Sequence, residues 1–224
     1  MQFTIITLSF LGSLAYAFAI PKNVFDINKL SCRADGRNAV TSLLEIAPLS
    51  KSCDGAEFKD ECATSEQAAP FLIQAFQDFQ ITNPNEIAAV LGLIALESGQ
   101  FKYNINHFPG NPGQGTRNMQ GPDFNLDFAR SFPNLKAKAD AITTAPTTAG
   151  LSKDQLNAVR ALVLPDMYSW ASAAWFLTTK CADARPAIQK GGDEGLEAYM
   201  ACVGTTITPE RAEFNTKAAK AIMG

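Results

Sequence analysis

Glu97 ends the most apolar internal stretch of the chain, IAAVLGLIAL at residues 87–96. Desolvation in such a place disfavours the charged form of a carboxyl group. A carboxylic acid kept protonated near neutrality can donate a proton, so Glu97 is the expected general acid. Ser98 follows it, with a hydroxyl able to bond the loop backbone. A segment of Gly, Pro, Asn and Gln then runs over residues 104–122 and contains Arg117, Asn118, Met119 and Gln120. It has neither helical nor strand period and reads as a long loop of the kind that often carries function. Its side chains suit a hydroxyl-rich ligand. His107, the only histidine, lies in the same loop, where it is either an exposed residue or a ligand contact. The alternative for Glu97 is an exposed helix end, although a carboxylate there is opposed by the helix dipole.

Helices must position these residues. Asn83-Pro84-Asn85-Glu86 is a helix start, with Asn at the N-cap and Pro at the first position, and it opens the helix that Glu97 closes. On that helix Val90, Ile94 and Glu97 fall near one face. Thr64-x-x-Gln67 and Ser152-x-x-Gln155 are capping boxes, opening predicted helices over 64–80 and 152–163. Further helices are expected over 37–47, 124–132, 134–142 and 166–179, then from Gly192 to about Cys202, and last from Thr208. The 166–179 segment is apolar nearly all round and is the expected central helix. Trp175 reads as core, and Trp170 as a residue that could reach the cleft. No repeat or convincing hairpin is present, so the class is mainly α.

Five cysteines, Cys32, Cys53, Cys62, Cys181 and Cys202, are present. Cys181 and Cys202 are a plausible pair, and two of the other three would form a second bridge, leaving one thiol over. Residues 1–19 carry no charge, have an apolar centre and end in small residues, the pattern of a signal peptide cut after Ala17 or Ala19. The expectation is a secreted, extracellular protein with one disulfide-stapled domain over 20–224. The net charge is −3 and no Lys/Arg cluster occurs, so the footprint of nucleic-acid binding is missing. No later stretch is long enough to span a membrane. No metal-ligand spacing or cofactor motif appears, so none is expected.

Glu97-Ser98, a glycine-containing polar loop and Met119-Gln120 together resemble the pattern of lytic transglycosylases and goose-type lysozymes. The match covers about 35 residues, and Arg117-Asn118 stand where that family has Gly-Leu. The 171–181 segment is more loosely similar to the buried helix of family 19 chitinases. The resemblance implies a lysozyme-like helical domain cleaving β-1,4 bonds of an amino-sugar polymer, peptidoglycan first and chitin second, by hydrolysis or with an anhydro product. It makes Glu97 the catalytic acid and sets Ser98, Arg117, Asn118, Met119, Gln120 and His107 around the substrate. Tyr199 is the late tyrosine such folds aim at the Glu. Most glycosidases need a second carboxylate, for which Asp123 and Asp127 are the candidates, although that family manages with one. The alternative is a secreted carbohydrate-binding or host-interaction protein with this fold and no turnover.

Overall fold

The computed structural model describes residues 38–224. The expected signal peptide and Cys32 lie outside the described residues. Among the described residues the fold is mainly α and carries two disulfides, Cys53–Cys62 and Cys181–Cys202. The helices are α1 (Ala39–Ile46), α2 (Ser65–Asp78), α3 (Pro84–Glu97), α4 (Pro122–Arg130), α5 (Pro133–Ile142), α6 (Lys153–Val163), α7 (Asp166–Ser169), α8 (Ser172–Thr179), α9 (Arg185–Lys190), α10 (Gly192–Cys202) and α11 (Pro209–Met223). Among the described residues, extended pairing is limited to the isolated bridges Ile105 with Gly115 and Gly115 with Gln120.

The starts of these helices follow local chemistry. Asn38, Thr64, Asn83, Ser152 and Thr208 each accept a backbone N–H of the first turn, and the boxes at Thr64 and Ser152 are complete. Each such cap satisfies a donor the helix cannot.

Helix α3 is the axis of the fold. Residues 88–95 are buried without interruption, so this helix is enclosed on all sides rather than along one stripe. Its principal neighbour is α11, and α9, α8 and α1 also pack on it. Gly92 sets the spacing: a Cβ there would stand 3.1 Å from the Asn215 Cα and the Phe214 carbonyl oxygen. At its N-terminal end, Glu86 is buried and takes a bidentate pair from Arg185 of α9, at 2.6 and 3.0 Å. The bond from Glu86 also raises the Arg185 guanidinium above its ordinary value. A second group, α4 with α5 and α6, is joined to the first through α8, where Phe128 meets Trp175 and Phe124 meets Phe176 with ring centroids 4.9 and 4.8 Å apart.

The expected 166–179 helix is broken. The Ser169 carbonyl accepts from the Arg117 backbone N–H at 3.3 Å and from the Ser172 hydroxyl at 2.8 Å. That carbonyl therefore serves the loop instead of the helix ladder, and α7 and α8 are separate. Trp170, at this break, is 1% exposed and lies in the core rather than at the cleft. Helix α9 was not foreseen, because its charged residues give no apolar period.

Gly92→Ala is expected to lower stability by about 1–3 kcal/mol through overpacking against the α11 backbone. Glu86→Ala should cost about 1.5–3 kcal/mol by removing the charge-assisted bonds to Arg185. Urea unfolding midpoints measure both.

Candidate functional site

Residues 98–121 form the loop that the composition indicated, and much of its polar chemistry holds its own shape. Ser98 is fully buried. Its hydroxyl donates to the Ile94 carbonyl at 2.6 Å and accepts the Phe101 N–H at 2.9 Å. It ties off the end of α3 and has no face to offer a substrate. Gln100, Phe101, Thr116 and Met119 all have positive φ, a conformation costing a non-glycine residue roughly 1–2 kcal/mol.

Arg117 offsets this strain. Its guanidinium is buried 4.3 Å over the Trp170 ring and donates to the Phe101 and Tyr103 carbonyls at 3.1 and 3.2 Å. Burial pushes it down to about 10, against the opposing pull of Asp166 and then Glu61. Arg117 is thus a structural pin, not a ligand contact. His107 is likewise occupied. Its Nε2 lies 2.6 Å from Glu61, and its ring stacks on Phe58 with centroids 3.6 Å apart. Glu61 also accepts the Asn104 and Ile105 N–H groups, both at 3.0 Å, so one carboxylate from the disulfide-closed 53–62 segment grips the whole rise of the loop.

A cleft enclosing about 250 Å³ lies where α3, α4, α8, α11 and the loop meet. Glu97, Gln114, Asn118, Gln120, Thr205 and Arg211 are its polar lining, and Leu93, Met119, Phe124, Phe176 and Val203 its apolar lining. Of the residues expected at a site, Glu97, Asn118, Met119 and Gln120 are brought together here. Ser98, Arg117 and His107 are not, and Tyr199 is buried without lining the cleft. Burial first, and then the charge of Glu97, push the Tyr199 phenol well above its usual range.

Glu97 itself is not an isolated desolvated acid. Its side chain is 25% exposed, and its Oε1 accepts from Arg211 Nη2 at 3.1 Å. The two candidate partner carboxylates have structural duties. Asp123 accepts from the Thr148 N–H and hydroxyl at 2.6 and 2.5 Å, and Asp127 pairs with Lys180 at 2.7 Å.

Arg211 was missed, although a signal existed. It stands in the first turn of α11, where a cation opposes the helix dipole. Glu97 opposes the dipole at the end of α3 in the same way. Two charges at the wrong ends of antiparallel helices answer each other. Unmet polar atoms remain beside them: Gln120 Oε1 and Arg211 Nε are buried without a hydrogen-bond partner.

The molecule is therefore a mainly helical, disulfide-stapled protein with a small amphipathic cleft. A protein of Fusarium oxysporum (strain Fo5176) named bifunctional dioxygenase (DOX)-epoxy alcohol synthase (EAS) is 43% identical to it over 164 residues. Those residues are 72% of this chain and 12% of that protein. The chain thus spans a small part of the relative's length, and the two activities in the name belong to that whole protein. No family model matches the chain, and no solved structure matches it. The match overturns the resemblance to lytic transglycosylases, goose-type lysozymes and family 19 chitinases. With it falls the glycosidase reading in both its active and inactive lysozyme-like forms, because the relative is named for oxygen chemistry and not for sugar cleavage. Of the motif that suggested the resemblance, Ser98 serves the backbone, whereas Glu97, Met119 and Gln120 line the cleft. No helix of the described residues is long and apolar enough to cross a membrane, and none of their His, Cys, Asp and Glu side chains cluster in threes to hold a metal ion.

Arg117→Lys would keep the charge and lose the fork and the stacking on Trp170. We expect about 2–3 kcal/mol of destabilisation, with early proteolytic cleavage confined to residues 105–118, read by limited digestion and mass spectrometry.

Proposed function

We propose that the chain is a secreted binding domain whose cleft takes a small, largely apolar molecule bearing hydroxyl and ether-type oxygens. One observation carries this reading: Gln120 Oε1 and Arg211 Nε lack partners in residues that line a cleft otherwise faced by Leu93, Met119, Phe124, Phe176 and Val203. A buried acceptor and a buried donor left unmet each cost about 1–3 kcal/mol. A small shift of the Gln120 and Arg211 side chains on binding would bring both atoms to a ligand with a hydroxyl to give and an oxygen to accept, while its hydrocarbon part lies along the aromatic lining. An epoxy alcohol has this combination, and it is the product class printed in the name of the Fusarium relative. In a protein of that kind such a domain would hold an oxygenated product beside the chemistry made elsewhere. Two disulfides support secretion.

Calorimetric titration of the chain with a medium-chain aliphatic epoxy alcohol and the alkane of equal length, with an amino-sugar oligomer as a control, tests this. The epoxy alcohol should bind saturably and at least about tenfold more tightly than the alkane, a difference of about 1.4 kcal/mol. Gln120→Leu should remove most of that preference. Equal binding of alcohol and alkane, or of neither, overturns the proposal, as does binding of the oligomer alone.

A further inference from the structure

Resting on the cleft reading above, we infer that Glu97 makes this site selective for an uncharged ligand, admitting an alcohol and turning away the corresponding carboxylic acid. The argument begins with charge balance. The cation in the cleft, Arg211, is matched by Glu97 at 3.1 Å. The cation beside its aromatic lining, Lys180, lies 5.9 Å from the Phe124 ring centroid and is matched by Asp127 at 2.7 Å. Neither presents an unanswered positive charge to an anion.

Glu97 spends one oxygen on Arg211. Its side chain is 25% exposed and lines the cleft, and no hydrogen bond to Oε2 occurs among the described residues. An ionised carboxylate oxygen open to a cleft accepts a hydroxyl hydrogen in a charge-assisted bond, roughly twice as strong as a neutral one. It also repels a ligand carboxylate, and like charges set side by side in an interface cost several kcal/mol. Tyr199 contributes no competing charge, because burial and the neighbouring Glu97 hold its phenol protonated. The cleft therefore discriminates by one charge at one atom, with Arg211 fixing that atom in place.

The test uses the full chain and two probes of equal size, the aliphatic epoxy alcohol and the epoxy acid in which its carbinol is oxidised to a carboxyl. Wild type should bind the alcohol at least about tenfold more tightly than the acid. Glu97→Gln should weaken the alcohol about tenfold and strengthen the acid until the preference is abolished or reversed, because Arg211 is then unmatched. Arg211→Gln should widen the preference beyond that of wild type. If wild type binds both probes within about twofold, or Glu97→Gln keeps the wild-type preference, the inference is overturned while the cleft reading stands. If wild type binds neither probe, the cleft reading itself falls and the inference with it. Thermal melts establish that the variants are folded, and should Glu97→Gln fail to fold, the wild-type ratio and its change in Arg211→Gln decide the matter.

Discussion

Because Gly92 has no side chain, the α11 backbone passes within 3.1 Å of where a Cβ would stand, and much else depends on that contact. It fixes α3 and α11 as antiparallel neighbours in one register. Gly92 faces Asn215, and one turn further on Glu97 faces Arg211. A longer side chain at residue 92 would part the helices and with them the ion pair. The cleft is a product of this packing: two helix ends meet, each carrying a charge that its own dipole disfavours, and each charge is made tenable by the other.

The long loop obeys a different economy. Four of its non-glycine residues adopt left-handed backbone, a cost that local chemistry does not repay. Two buried charges hold it instead. Arg117 reaches from beneath to the carbonyls of Phe101 and Tyr103, and Glu61 reaches from the side to the N–H groups of Asn104 and Ile105. Both replace secondary structure by giving backbone groups partners that no ladder supplies. Once the frame is rigid, Asn118, Met119 and Gln120 are delivered to the cleft with little freedom left.

What was legible in the sequence was mostly local. Caps at Thr64, Asn83 and Ser152, the Cys181–Cys202 bridge, the mainly helical class and the long loop are written within a few residues of where they act. Glu97 drew notice because a carboxylate closing an apolar run conflicts with its surroundings. Its partner lies 114 residues away, and no spacing rule reaches that far. The resemblance misled for a related reason. Glu-Ser and Met-Gln around a glycine-containing loop describe how a helix can end and a loop can be secured. Ser98 and Arg117 do those jobs here, and a short motif does not distinguish such labour from catalysis. The split between α7 and α8 was hidden too, since it arises from Arg117 claiming the Ser169 carbonyl, a tertiary event laid over a continuous apolar pattern.

The Cys181–Cys202 bridge closes on residues that flank the cleft from two sides. Phe176 stands one turn before Cys181, and Val203 follows Cys202 directly; both line the cavity. The covalent bond thus acts as a gauge block, setting the gap between α8 and the segment after α10 before any ligand arrives. A cavity of preset width spares a ligand the ordering cost that a soft one exacts. It also ties the cleft's dimensions to redox geography, because the bridge that sets this gap persists where thiols are oxidised.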